Sequence, residues 1–278
     1  MSGMTEFLEA AEGSSVEAVT GGELSTDYGD KELHIVGLFI KREDFDKVQE
    51  LVKELHKRKM ESNVILAENL RKGGYDISLE EMLKKALNGY INRAHFAMEL
   101  VKKGYVKTRE EAFATLLSKD GGYYEEPKKL PVYETIAFLK ELGAVAILAH
   151  PFKVFWEGRI SPSRHPFDDP IHEQYRRHFE TILEKLVTRG LDGMECFYSS
   201  HSREETEYLC ALAQKHGLWI TAGSDYHGAN MREGVCLAGC WKGWEQELVP
   251  DAVKAVERSA NALVARMHGQ QGSSEEQK

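Results

Sequence analysis

Five residues scattered along the chain carry side chains able to hold a cation or move a proton: Glu23, His34, His150, Asp225 and His227. Asp225 and His227 lie two apart in LWITAGSDYHGAN (218–230), an apolar run that halts at Gly223 and then presents a carboxylate and an imidazole. In parallel α/β folds the strand C-termini converge on one face, and the loops leaving them carry the chemistry because the interior is packed solid. That rule selects Glu23 after VEAVTGG, His150 at the end of AVAILAH, Ser199, Ser200 and His201 after MECFY, and Asp225 with His227 after LWITAG. His34, inside ELHIVGLF, is placed to point into the same mouth from a neighbouring strand. Neutral imidazoles with carboxylates make an N/O ligand set for a divalent transition metal, favouring Mn, Fe or Zn over Mg. Each residue also has a plainer use, since a histidine after a strand often caps a loop and an aspartate often starts a turn. Four such residues just past predicted strand ends favour a site, and Pro151 fixes the chain direction after His150.

The elements that must position these residues follow from periodicity. From Ala144 onward, AVAILAH, a helical stretch around His172 to Arg189, MECFY, a helix across Arg203 to His216 and LWITAG give β-α-β-α-β spacing. Phe179, Ile182, Leu183, Leu186 and Val187 recur at three- and four-residue intervals, as do Tyr208, Leu209, Leu212 and Ala213. The nearly continuous apolar strands read as parallel and buried on both faces. Upstream, Val16 to Leu24 and Glu32 to Ile40 are predicted as two strands joined by a turn at Gly29-Asp30. Between lies a Lys- and Glu-rich stretch of helical pattern. The predicted organisation is an N-terminal part of an α/β domain over 1–42, a helical insertion over 43–125, the C-terminal part over 126–267, and a polar, disordered tail over 268–278.

Composition narrows the partners. The formal charge is −9, from 36 basic and 45 acidic residues, which argues against a broad phosphate-backbone footprint and long duplex nucleic acid. A local basic pocket can still hold a small phosphorylated ligand. No basic n-region precedes an apolar segment at the N-terminus, and no stretch reaches the ~18 apolar residues of a membrane span, so a soluble, cytoplasmic protein without membrane partners is expected. Cys196, Cys210, Cys236 and Cys240 form no CxxC pair and read as reduced, mostly buried thiols.

AILAHP, GLDGMECFYSSHS and GLWITAGSDYHG, with GGELST and ELHIVGLFI upstream, resemble the polymerase-and-histidinol-phosphatase (PHP) superfamily. The likeness runs from about Phe7 to Gly228 and is closest to its bacterial phosphoesterases of nucleoside phosphates, 3′,5′-bisphosphates or short RNA. It implies a distorted (βα)7 barrel with a helical insertion. It also implies that Glu23 bridges metal ions, and that His34, His150, Asp225 and His227 are further ligands. Arg93 and His95 in NRAHFA match an Arg-x-His suited to gripping substrate phosphate, and His201 in SSHS matches a pocket segment beside the metals.

The family's opening His-x-His strand has no counterpart here, so the resemblance implies an incomplete barrel lacking the first βα units and part of the ligand set. The expected function is a metal-dependent phosphoesterase working on a nucleotide or short RNA through a metal-activated water, with about two or three ions (Mn2+, Zn2+ or Fe2+) in a complete parent chain and Asp225 and His227 in catalytic roles. Ser224 or Ser199 is a candidate to orient an imidazole. Whether the truncated chain is itself active stays open, the alternative being a non-catalytic nucleotide- or partner-binding remnant.

Overall fold

The computed structural model describes residues 3–15, 17–29, 31–86, 91–154, 167, 170–226, 258–259, 261–262 and 265. The chain divides into two compact units, Met1–Phe45 with Leu130–Lys278, and Asp46–Lys129.

The first unit is built on an open, mixed sheet, which among the described residues has six strands in the order β3-β1-β2-β4-β5-β6. These are β1 (Gly21–Tyr28), β2 (Lys31–Leu38), β3 (Leu130–Pro131), β4 (Val145–Leu148), β5 (Gly193–Tyr198) and β6 (Trp219–Gly223). β4, β5 and β6 run parallel, as the apolar runs predict. β1 and β2 instead form an antiparallel hairpin, and β2 is also antiparallel to β4, so the sheet is not uniformly parallel. The hairpin is offset from its predicted position. Phe39 adopts φ +60 and β2 ends at Leu38; the Phe39 amide still donates to the Thr20 carbonyl at 2.8 Å, but the ladder starts at Gly21, so the more polar GGELSTDY carries the pairing. Glu23 therefore sits inside β1, opposite Val36, rather than beyond a strand end.

After β4 comes a single turn, α7 (Pro151–Val154), and helices α6 (Val132–Glu141), α8 (Pro170–Thr188) and α9 (Arg203–His216) cover the sheet unit, with Ile136, Leu139, Phe179, Ile182, Leu183, Leu186, Leu209 and Leu212 all buried. α9 starts at a capping box, in which Ser202 Oγ accepts from the Glu205 amide at 3.2 Å and the Glu205 carboxylate accepts from the Ser202 amide at 2.7 Å. It ends at Gly217 with φ +67, the left-handed cap that glycine supplies without strain.

The helical unit comprises α2 (Phe45–Lys72), α3 (Leu79–Lys85), α4 (Arg93–Lys102) and α5 (Arg109–Ala114), following the short α1 (Met4–Ala11) of the first unit. In α2 the buried positions 62, 63, 66, 67 and 70 form one stripe. Leu66 and Leu70 pack in a core with Ile77, Met82, Ile91, Phe96 and Leu100. Among the described residues, no helix is long and apolar enough to cross a membrane.

Close strand approach fixes one glycine. Gly193 pairs with Ile147 on one side and Trp219 on the other, and a Cβ there would stand 2.8 Å from the Trp219 carbonyl oxygen and 2.5 Å from Ile147 Cδ1. Gly193→Ala is expected to cost about 1–3 kcal/mol by overpacking. Urea unfolding measures it, and an unchanged midpoint would contradict this packing.

Candidate functional site

The hairpin register creates the first half of the site. Ser25 lies directly opposite His34, and Glu23, two residues before Ser25, is its diagonal neighbour on the same face, within reach of long side chains. Leu24 and Thr26 on β1 and Leu33 and Ile35 on β2 are buried on the other face, which commits the polar set to the open side. His34 Nδ1 donates to Glu23 Oε1 at 2.6 Å. Its Nε2 lies 3.1 Å from Glu32 Oε1 and 3.1 Å from Ser25 Oγ.

The second half comes from the end of β4. His150 Nε2 lies 3.0 Å from the same Glu23 Oε1, and the two imidazoles meet edge to face with centroids 4.9 Å apart. His150 adopts φ +24, a strained conformation for a residue with a Cβ, and such strain concentrates at functional sites. Its backbone amide donates to Glu195 Oε2 at 2.7 Å. His150 Nδ1 is buried without a hydrogen-bond partner.

Glu23, His34 and His150 each offer one ligand atom, all within 4.8 Å of one another. Two nitrogens and one carboxylate oxygen at this spacing fit a divalent cation, and His150 also keeps a ring nitrogen, Nδ1, that no protein partner satisfies. The protons already respond to the crowding. Burial works against ionising Glu23, yet its hydrogen bonds to His150 and His34 outweigh this and hold the carboxyl well below the usual carboxylate range. Burial likewise pulls His34 down, but hydrogen bonds to Glu23 and Glu32 prevail and raise it to about 9.

Asp225 follows β6 in a left-handed conformation, φ +53, and its Oδ2 accepts from the Tyr198 hydroxyl at 3.2 Å. Tyr198 in turn packs against the His150 ring at 5.4 Å and the His201 ring at 5.1 Å. Asp225 is thus joined to the cluster through Tyr198 and is not one of its three members. His227 lies outside the described residues. Ser199 Oγ donates to the Ser224 carbonyl at 3.3 Å, so this bond braces a backbone turn and not an imidazole.

His201 is buried at 6% exposure, its Nδ1 bonded to the Cys196 carbonyl at 3.1 Å and its Nε2 without a partner. That arrangement leaves Nε2 as a bare lone pair. Arg93 and His95 belong to the helical unit. The Arg93 guanidinium stacks on Tyr124 at 4.3 Å, and its Nη1 lies 3.4 Å from the Leu117 carbonyl. His95 closes the capping box of α4 with Asn92.

Sequence reasoning missed Glu195 and Tyr198. Both sit within an apolar strand, GMECFY, whose composition signals burial, and the lone acid in that run was the available clue.

Two titrations act in opposite directions on the metal-free protein. Desolvation pushes His201 down to about 4, so its stabilisation is present above the unfolded value near 6.5 and is lost as pH falls toward 4. For a group this buried the loss is on the order of 3 kcal/mol. His34, raised to about 9, contributes stability that is complete below about 6.5 and fades as pH rises through 9. Unfolding free energy in chelator is therefore expected to peak near neutral pH. His201→Gln should flatten the limb between about pH 6.5 and 4.5, above the range in which the depressed Glu23 carboxyl titrates, and a limb unchanged there by that substitution would contradict the assignment.

No protein-family model matches the chain. It is 27% identical over 242 residues to the 5′-3′ exoribonuclease Rnm of Escherichia coli (strain K12), covering 84% of this chain and 76% of that protein. It is 25% identical over 230 residues to the 3′,5′-nucleoside bisphosphate phosphatase of Chromobacterium violaceum, covering 81% and 73% respectively. Among solved structures, a protein of Bifidobacterium adolescentis assigned as a metal-dependent phosphoesterase matches with a TM-score of 0.65 and 25% identity, over 92% of this chain and 82% of that one. The chain is a relative of phosphoesterases acting on nucleotides and RNA, and its likenesses in sequence and fold are consistent with the PHP superfamily.

Proposed function

We propose that this protein hydrolyses phosphate esters of nucleotides or short RNA at a divalent-metal centre held by Glu23, His34 and His150, with Asp225 and His227 as further ligands. The observation that carries the reading is the convergence of two imidazoles on one oxygen of Glu23. The N/O donor set suits Mn2+, Zn2+ or Fe2+. When bound, such an ion supplies a water of lowered pKa and neutralises charge on the phosphoryl oxygens.

The chain's own groups divide the remaining work. Glu23 keeps its charge against burial and so remains a ligand at neutral and acidic pH. Asp225 Oδ2, oriented by the Tyr198 hydroxyl whose ring packs against His150, is assigned to proton transfer. His201, held neutral by burial and packed against the Tyr198 ring, is assigned to the pocket wall beside the cation. Arg93, with its planar guanidinium, and His95 are assigned to substrate phosphate.

With Mn2+ supplied, the protein is expected to release phosphate from adenosine 3′,5′-bisphosphate or mononucleotides from short 5′-phosphorylated RNA, and excess chelator should abolish both. Glu23→Gln is expected to lose ~3 kcal/mol of transition-state stabilisation, roughly a hundredfold in kcat. Turnover retained by Glu23→Gln, or turnover indifferent to chelator, would contradict the reading.

Loading the cation must also displace the proton that His34 holds at neutral pH. Calorimetry with Mn2+ in two buffers of different ionisation enthalpy should show proton release near pH 7 that disappears above about pH 9. Binding without proton release at pH 7 would remove His34 from the ligand set.

A further inference from the structure

Glu195 belongs neither to the cation cluster nor to the proton-handling groups, yet it is tied to both strands that deliver them. The register between β5 and β6 shifts within β5: Glu195 faces Thr221, whereas Phe197 faces Ala222 and Tyr198 faces Gly223. This is a β-bulge, with one extra residue on β5. Side chains three apart on a regular strand point to opposite faces, but the inserted residue brings Glu195 and Tyr198 to the same one. The contacts agree, since Glu195 Oε2 lies 2.7 Å from the His150 amide nitrogen and the Tyr198 ring lies 5.4 Å from the His150 ring.

His150 needs such support. Its φ of +24 is unfavourable for any residue with a Cβ, and the following Pro151 further restricts the main chain. The amide bond to a carboxylate is short and holds that geometry. Room for the carboxylate comes from β6, where a Cβ on Gly223 would collide with Glu195 Oε1.

We propose that Glu195 is a positioning residue of the metal centre. By the reach of its side chain it fixes the main chain of His150, and so aims that imidazole at Glu23, while Gly223 is glycine to leave the carboxylate its place. This rests on the reading of Glu23, His34 and His150 as a cation site. Reach decides because the acceptor meets a neutral amide. Shortening the side chain by one methylene withdraws the oxygen by about 1.5 Å, enough to break a 2.7 Å hydrogen bond. A glutamine keeps a carbonyl acceptor at full reach.

The test is Mn2+ binding by the full chain, followed through the paramagnetic resonance signal of free Mn2+, with circular dichroism confirming folded protein. Glu195→Asp is expected to weaken Mn2+ binding at least about tenfold. Glu195→Ala, which removes the acceptor without adding bulk, carries the same expectation should the aspartate variant fail to fold. Glu195→Gln is expected to bind more like wild type than like Glu195→Asp. A merely structural role would lower the thermal midpoint of the variants without separating their Mn2+ affinities. Wild-type affinity in a folded Glu195→Asp or Glu195→Ala, or an equal loss in Glu195→Gln and Glu195→Asp, would overturn the proposal. Glu23→Gln separates the two readings. If it binds Mn2+ as wild type does, the cation site itself is wrong, whereas if it alone loses binding, only the role of Glu195 falls.

Discussion

One carboxylate oxygen organises this site. Glu23 Oε1 accepts from His34 at 2.6 Å and lies 3.0 Å from His150 Nε2, so residues far apart in sequence meet at a single atom. The arrangement is electrostatically demanding. Burial disfavours charge on both Glu23 and His34, and each keeps its charge through hydrogen bonds, Glu23 to His150 and His34, and His34 to Glu23 and Glu32. Such mutual dependence makes the hairpin register consequential: a slip of one residue would put Glu23 and His34 on opposite faces of the sheet and dissolve the cluster.

The surrounding structure serves to keep that register and the approach of His150. Leu24, Leu33 and Ile35 anchor the closed face of the hairpin, and β4, paired with β2 on one side and β5 on the other, delivers His150 from a wholly apolar strand. Beyond His150 the chain is gripped at once. Tyr175 donates to the Pro151 carbonyl at 3.1 Å, and Phe152, buried, meets Tyr175, Phe179 and Tyr208 at ring distances of 5.2, 5.5 and 6.1 Å. An aromatic cluster from α8 and α9 thus holds one side of the strained residue while Glu195 holds its amide. Rigid support on both sides is what a ligand in an unfavourable backbone conformation requires.

Much of the C-terminal half was legible in the sequence because its signals are local. Apolar runs of four to six residues bounded by Gly143, Gly217 and Gly223 mark β4 and β6, and Ser202 with Glu205 marks the start of α9. The hairpin was harder. VEAVT has the β-branched composition of a strand, yet GGELSTDY forms it, because pairing depends on where the partner ends and Phe39 ends it. The lone acid in GMECFY hints at a role for Glu195, but its partners and those of Tyr198 are not legible, since a bulge exists only in the register between two strands and leaves no mark in the composition of either. Arg93 and His95 could be found by motif, whereas the stacking on Tyr124 and the α4 cap they provide required the folded unit.

The central claim is that Glu23, His34 and His150 share a cation. Diffraction from crystals soaked in Mn2+, recorded at the manganese absorption edge, tests it most directly. The account predicts an anomalous peak within ligand distance of the Glu23 carboxylate and both imidazoles, lost on Glu23→Gln. A protein that takes up manganese elsewhere while these three side chains keep bonding only to one another would contradict it.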